Sequence, residues 1–188
     1  MISNALATYP PSKHPTLHFA VADCSKPENL PPPFPAYDLI FAGWFFNYAA
    51  SETQLENMFR VIEQNLAIDG RFVGITTNVR DPWVEEDKRN FYGLEIYVLE
   101  KEYVAPDTGL EVGIRAKVSV GGEGGFSFEV YQFRGEVYER CAKRAGLEIR
   151  WGEVIVPDDE RKTTGFWDQW LERPTFSVLE AVRAQAEV

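Results

Sequence analysis

The run Tyr37-Asp38-Leu39-Ile40-Phe41-Ala42-Gly43 and, further on, Arg71-Phe72-Val73-Gly74-Ile75-Thr76 decide the fold. Each is continuously apolar rather than alternating, which predicts strands covered on both faces, as in a parallel α/β sheet. Between them Ser51 precedes Gln54 at the spacing of a capping box. Leu55, Met58, Phe59, Ile62 and Leu66 then recur at the spacing of one buried helical face, with Asp69-Gly70 as its end. Strand, helix and strand with short links make a βαβ unit, whose crossover is right-handed almost without exception.

Toward the N-terminus, eight of the 12 prolines lie at or before Pro35. Proline fixes φ and removes a backbone donor, so this stretch reads as connecting chain. Within it, Leu17-His18-Phe19-Ala20-Val21-Ala22 reads as a strand followed by a polar turn at Asp23-Cys24-Ser25. The opening Met1–Thr8 has the composition of a helix tail that Pro10 stops. Toward the C-terminus the pattern alternates. Segments at Glu95–Tyr103, Glu111–Val120 and Phe126–Phe133 are rich in Val, Tyr and Phe and predict antiparallel strands, the last two joined by the glycine loop 121–125. A helix at about Gly135–Ala145, ended by Gly146, leads to a strand at Leu147–Trp151. Thr164–Leu171 reads as a short aromatic helix, and Phe176–Val182 as a strand or a helix.

The 188 residues carry 19 Lys+Arg against 29 Asp+Glu, a formal charge of −10. That balance argues against nucleic-acid binding, which needs a basic face. No apolar run reaches the roughly 18–20 residues of a membrane span, and no basic segment precedes the first apolar residues as in a secretory signal. Two cysteines, Cys24 and Cys141, make no disulfide scaffold, so a cytoplasmic setting is expected.

The order of motifs then carries a resemblance. A strand ends in Ala22-Asp23, and Tyr37–Ala42 is followed by Trp44-Phe45-Phe46-Asn47-Tyr48-Ala49 and then by Asn65-Leu66-Ala67-Ile68-Asp69-Gly70-Arg71-Phe72-Val73. This resembles the middle of a class I S-adenosylmethionine-dependent methyltransferase, most closely the small-molecule enzymes of secondary metabolism. Phe166–Leu171 and Arg173-Pro174-Thr175 are similar to the C-terminal end of those proteins. The resemblance implies a Rossmann-like α/β fold in one domain, 1–188, with an inserted antiparallel segment at about 94–133. It implies S-adenosyl-L-methionine as cofactor and a small-molecule N or O nucleophile as substrate. In that family a Gly-x-Gly-x-Gly turn and an acidic residue at the end of the second strand hold the cofactor, and neither precedes residue 43 here. The expectation is therefore an N-terminally truncated chain lacking the first strands, through a misplaced start or a split reading frame. It would be partnered by a second copy or by a complementing N-terminal segment. The alternative is a catalytically silent fragment that cannot hold the cofactor alone.

By the same resemblance Asp23 accepts from the adenine amino group and Cys24 supplies a nearby amide; otherwise Asp23 is a turn aspartate. Ala42, Gly43 and Trp44, expected to bind the cofactor, end a strand at the carboxyl edge, where open α/β sheets bind ligands, although Gly43 also suits a plain strand terminus. Asn47 and Tyr48 orient a ligand or cap the following loop. Tyr97, Tyr131 and Trp167 line a substrate pocket or pack in the core. No general base is evident. His14 and His18 are separated by Pro15, which prevents a helical pair of metal ligands. Glu85-Glu86-Asp87 and Asp158-Asp159-Glu160 read as solvated faces.

Overall fold

The computed structural model describes residues 2–27, 36–122, 124–153 and 155–185. The proline cluster at 31–35 lies outside them. Its elements are α1 (Ile2–Thr8), β1 (Tyr37–Gly43), α2 (Glu52–Asn65), β2 (Leu66–Thr77), β3 (Lys88–Phe91), β4 (Leu94–Val104), β5 (Glu111–Val120), β6 (Phe126–Phe133), α3 (Gly135–Arg144), β7 (Leu147–Trp151), α4 (Asp168–Glu172) and β8 (Phe176–Arg183). Short 3-10 turns stand at Phe46–Tyr48 and Glu160–Thr163.

The strands form two sheets in the orders β1-β2-β8-β7 and β3-β4-β5-β6. In the first, β1 and β2 run parallel, with Ala42 opposite Gly74 and Gly43 opposite Ile75. β8 runs antiparallel to both β2 and β7, so Phe176–Arg183 resolves as a strand. The second sheet is antiparallel throughout. It gains β3 by a two-residue hairpin at Tyr92-Gly93, whose φ values of 52° and 80° are the paired positive angles that a tight β-hairpin uses.

Helix α2 forms as its spacing predicts. The Ser51 hydroxyl accepts from the Gln54 amide, and the Gln54 side chain accepts from the Ala50 amide. Leu55, Met58, Phe59 and Ile62 are buried against the first sheet together with Phe46, Phe72, Tyr138 and Leu179. Each such side chain contributes about 1.5–3 kcal/mol of burial. The helix passes straight into β2 at Leu66, so Asp69-Gly70 lies inside the strand and does not end the helix. Helix α3 stops at Gly146, whose φ of 82° is the left-handed conformation of a helix terminator.

Two further expectations give way. Leu17–Ala22 is irregular chain, because no neighbouring strand among the described residues pairs with its backbone groups. Strand β1 is not covered on both faces. It is the edge of its sheet, and Leu39 and Phe41 remain 63% and 64% exposed. Among the described residues no helix is long and apolar enough to cross a membrane.

Candidate active site

The parallel strands β1 and β2 end at a pocket of about 570 Å³. Trp44 and Thr77 close it from the first sheet, and Thr175 and Phe176 from the segment entering β8. Its roof is one face of the second sheet, including Ile96, Val118, Phe128 and Val130. The lining among the described residues holds no Asp, Glu, His, Lys or Arg; its polar groups are Tyr48, Thr77, Thr175 and Gln132.

Backbone shape directs the wall. Trp44 leaves β1 at φ 57°, a left-handed angle that an L-residue with a large side chain adopts at a cost of about 1–3 kcal/mol. Its amide donates to the Ile75 carbonyl at 2.8 Å, and its ring meets the Phe176 ring edge-on, with centroids 4.4 Å apart. The chain then turns through Phe46–Tyr48, which sends Phe46 into the main core and leaves Tyr48 beside Phe128 at the pocket.

Gln132 donates from Nε2 to the Asn78 carbonyl, and the Asn78 carboxamide bonds the Pro174 carbonyl and the Ser177 hydroxyl. Behind Thr175 lies Lys88, itself only 6% exposed. Its Nζ donates to the Thr175 hydroxyl at 3.0 Å and to the Arg173 carbonyl at 2.9 Å. The Asp81 carboxylate is 4.0 Å away and is taken at 3.0 Å by Arg173 Nε. Burial pulls the Lys88 ammonium down to about 8, against the opposing pull of Asp81 and with Arg173 adding to the decrease.

A second concavity, of about 750 Å³, lies beside β1, and Cys24, Phe19, Ala42 and Phe41 are among its lining. Its lining among the described residues is mostly apolar and carries no Asp, Glu, Lys or Arg. Asp23 stands next to it. Its carboxylate accepts from the Ser25 hydroxyl at 2.7 Å and the Ser25 amide at 3.1 Å, and pairs with Lys26 at 3.3 Å. The Ser25 hydrogen bonds hold that carboxyl below the usual range, while partial burial raises the Cys24 thiol.

The structure thus brings Trp44 and Tyr48 to the pocket, and Cys24 and Ala42 to the groove along β1. Gly43 is the last residue of β1 and lines neither of them. Asn47 is fully buried, and neither its Oδ1 nor its Nδ2 has a partner among the described residues, so it makes no capping bond. Trp167 lines a neighbouring pocket of about 400 Å³ with Tyr92, Trp170 and Arg161. Tyr97 and Tyr131 line neither pocket. The pocket face of the second sheet carries Leu94 and Ile96 on β4 and Phe128, Val130 and Gln132 on β6, and odd-numbered neighbours point the other way. Tyr97 instead donates to Glu95 at 2.7 Å, and Tyr131 packs on Tyr103 at 4.9 Å. The same alternation, read from the sequence, picks out the residues that do line the pocket.

The sequence matches no family model and no curated protein. Solved structures do match. An S-adenosylmethionine-dependent methyltransferase from Mesorhizobium loti superposes with a TM-score of 0.60, at 17% identity over 97% of this chain and 76% of that one. One from Clostridium acetobutylicum gives 0.57, at 17% identity over 98% and 71%. The fold is that of the S-adenosylmethionine-dependent methyltransferases. The sugar N-methyltransferase KedS8 from Streptoalloteichus superposes at 0.50, with 14% identity over 98% and 75%. At these identities the likeness is one of architecture. The Rossmann-like reading of β1, α2 and β2 therefore holds, and in this methyltransferase fold the apolar pocket occupies the carboxyl edge of the parallel strands, where such sheets bind ligands.

Proposed function

We propose that this chain methylates an N or O nucleophile of a small molecule with S-adenosylmethionine as donor. One observation carries the reading: an apolar pocket of about 570 Å³ at the carboxyl edge of β1 and β2, roofed by an antiparallel sheet, with a second groove along β1 whose lining includes Ala42. The pocket size and its sparse polar groups suit a small, uncharged acceptor. A sugar acceptor has support in the likeness to KedS8.

The groove fits the flat end of the donor. Phe19, Phe41 and Ala42 offer apolar surface for an adenine ring, the Asp23 carboxylate stands beside it to accept from the amino group, and Cys24 provides a backbone amide. The donor supplies an activated methyl group on a sulfonium. This chain's part is to bind the acceptor in line with it, exclude water and accept a proton. The apolar sheet face over the pocket serves the second of these tasks.

We read residues 1–188 as one domain with an insert at about 94–133, working in the cytoplasm, where the free thiols of Cys24 and Cys141 stay reduced. A second reading, a silent module that needs another chain to hold the donor, is favoured by one observation. The groove lining offers no Asp, Glu, Lys or Arg, among the described residues, for the donor's ribose or amino-acid end.

Calorimetric titration with S-adenosylhomocysteine tests the proposal. One-to-one binding that Asp23→Asn weakens by roughly tenfold or more, the value of a lost charged hydrogen bond, upholds it. A folded chain that gives no heat leaves the silent module.

A further inference from the structure

The proposed reaction needs somewhere to put a proton. An N–H or O–H acceptor gains a methyl group and must lose its hydrogen, yet the pocket lining carries no carboxylate, imidazole, amine or thiol among the described residues. Among its hydroxyls, Thr175 is the one bonded to an ionisable amine: Lys88 Nζ lies 3.0 Å from Thr175 Oγ1. We propose that Lys88 takes the acceptor's proton through the Thr175 hydroxyl, which makes Thr175 a catalytic residue and Lys88 the base behind it. This rests on the methyltransferase reading above.

The hydrogen bonds suit both states of the amine. As an ammonium, Nζ directs hydrogens to the Arg173 carbonyl and the Thr175 hydroxyl, with the Asp81 carboxylate 4.0 Å away as an ion pair. As a neutral amine it keeps the bond to the Arg173 carbonyl and turns its lone pair to Thr175, whose hydroxyl then donates. During methylation the acceptor N–H or O–H bond breaks and its proton passes to Thr175 Oγ1. The Thr175 proton passes to Nζ, and the acceptor's electron pair forms the new bond to carbon. The bonding pair between methyl and donor stays on the donor's sulfur. When the product leaves, the ammonium returns its proton along the same path to water.

The surroundings permit a neutral lysine. The charged groups that face Nζ are Asp81, from the chain between β2 and β3, and Arg173, ahead of β8. Arg173 holds the Asp81 carboxylate at 3.0 Å, and Lys88 shares it at the longer distance of 4.0 Å. The Phe91 ring, with its centroid 4.5 Å from Nζ, is a cation–π contact that favours the ammonium and opposes the effect of burial. Burial in this setting brings the amine to about 8, where a general base for near-neutral chemistry works best.

The test uses the full chain labelled with 15N-lysine. Lys88 Nζ is assigned by its disappearance in Lys88→Met and followed by NMR from pH 6 to 11. In parallel, radiolabelled S-adenosylmethionine is offered with a panel of amino sugars and aryl alcohols. The expected results are a Lys88 midpoint near 8 and a wild-type rate that rises through that pH. Lys88→Met and Thr175→Val should fall about a hundredfold or more and lose the rise, while Thr175→Ser keeps it. Thr175→Val leaves the lysine in place, so the proposal survives poor folding of Lys88→Met. A Lys88 that stays charged beyond about pH 9.5 overturns the relay, as does a wild-type pH profile in either variant. Failure to bind S-adenosylhomocysteine or to turn over any acceptor instead defeats the methyltransferase reading. In that case the relay falls with that reading, and the NMR midpoint reports only how the buried amine titrates.

Discussion

Arg140 grips Glu52 with both prongs of its guanidinium: Nε donates to Oε2 at 3.0 Å and Nη2 to Oε1 at 2.8 Å, joining α3 to the first turn of α2. Glu52 is 2% exposed, and Arg144 adds a longer contact at 3.6 Å. The acidic side chain also sits at a helix N-terminus, where the dipole favours it.

Removing one partner of a buried ion pair strands the other without water. Arg140 keeps some solvent contact, so Arg140→Met should destabilise the fold by about 2–3 kcal/mol, and Glu52→Gln by a similar amount. Urea unfolding measures both. The double variant Glu52→Leu/Arg140→Leu should lose less than the two single changes added together, because it leaves no charge behind.

The two thiols should separate in reactivity. Burial pushes Cys141 up to about 12, and its Sγ faces the Glu52 carbonyl at 3.7 Å, so an alkylating reagent at pH 8 should reach it only on unfolding. Cys24 is half-buried beside the β1 groove and should react in the folded chain, though more slowly than a free thiol. Saturating S-adenosylhomocysteine should slow it further. Mass spectrometry after timed labelling reads both sites, and equal rates at the two would refute this account of the groove.

Filling the pocket should separate acceptor from donor. Val118 faces the cavity from β5, and a Trp there occupies acceptor space without reaching Asp23 or Cys24. Val118→Trp should cut acceptor turnover tenfold or more at unchanged S-adenosylhomocysteine affinity, with about 1–3 kcal/mol of overpacking strain in the fold. A matched loss of donor affinity would show that the two cavities do not divide the ligands in this way.

The apolar runs and the helical spacing made β1, α2 and β2 legible in the sequence, because those patterns reflect local geometry and one buried face. What covers β1 was not legible. Leu39 and Phe41 have the character of covered residues, but covering depends on a neighbour that periodicity cannot name. Leu17–Ala22 is apolar enough for a strand and still joins neither sheet among the described residues. Trp44 and Tyr48, picked out from their place after a strand, line the apolar pocket, whereas Tyr97 and Tyr131, chosen for being aromatic, point to the other face of their strands. Lys88 was hidden at the end of the acidic run Glu85-Glu86-Asp87. Those three residues are exposed as expected, but Lys88 turns inward on β3 to meet Thr175, which is distant in sequence.

An edge strand with exposed apolar side chains is prone to pair with another chain. The purified protein should therefore associate as its concentration rises, in a manner visible by sedimentation velocity. Leu39→Lys with Phe41→Lys should shift that association upward by at least tenfold in concentration while leaving helical content unchanged. Association that the two lysines do not alter would place the sticky surface elsewhere.

The lysine behind the pocket leaves a thermodynamic signature that requires no substrate. Its folded value of about 8 lies below the ordinary 10.5, so the folded state holds the proton less tightly than the unfolded chain does. Below about pH 8 both states are protonated and the folded protein carries the full penalty of a buried ammonium. As pH rises from about 8 to 10.5 the folded state sheds its proton first, and stability climbs by about 2–3 kcal/mol. Cys141 and Tyr138 act in the opposite direction: burial pushes each up to about 12, so their contributions decline at alkaline pH. The informative quantity is thus the difference between wild type and Lys88→Met, measured by urea unfolding at pH 7, 8.5 and 10. Relative to the variant, the wild type should gain stability as pH rises from 7 to 10. A constant difference across that range would mean that Lys88 keeps its proton, and neither the pH-dependent gain nor the relay through Thr175 would stand.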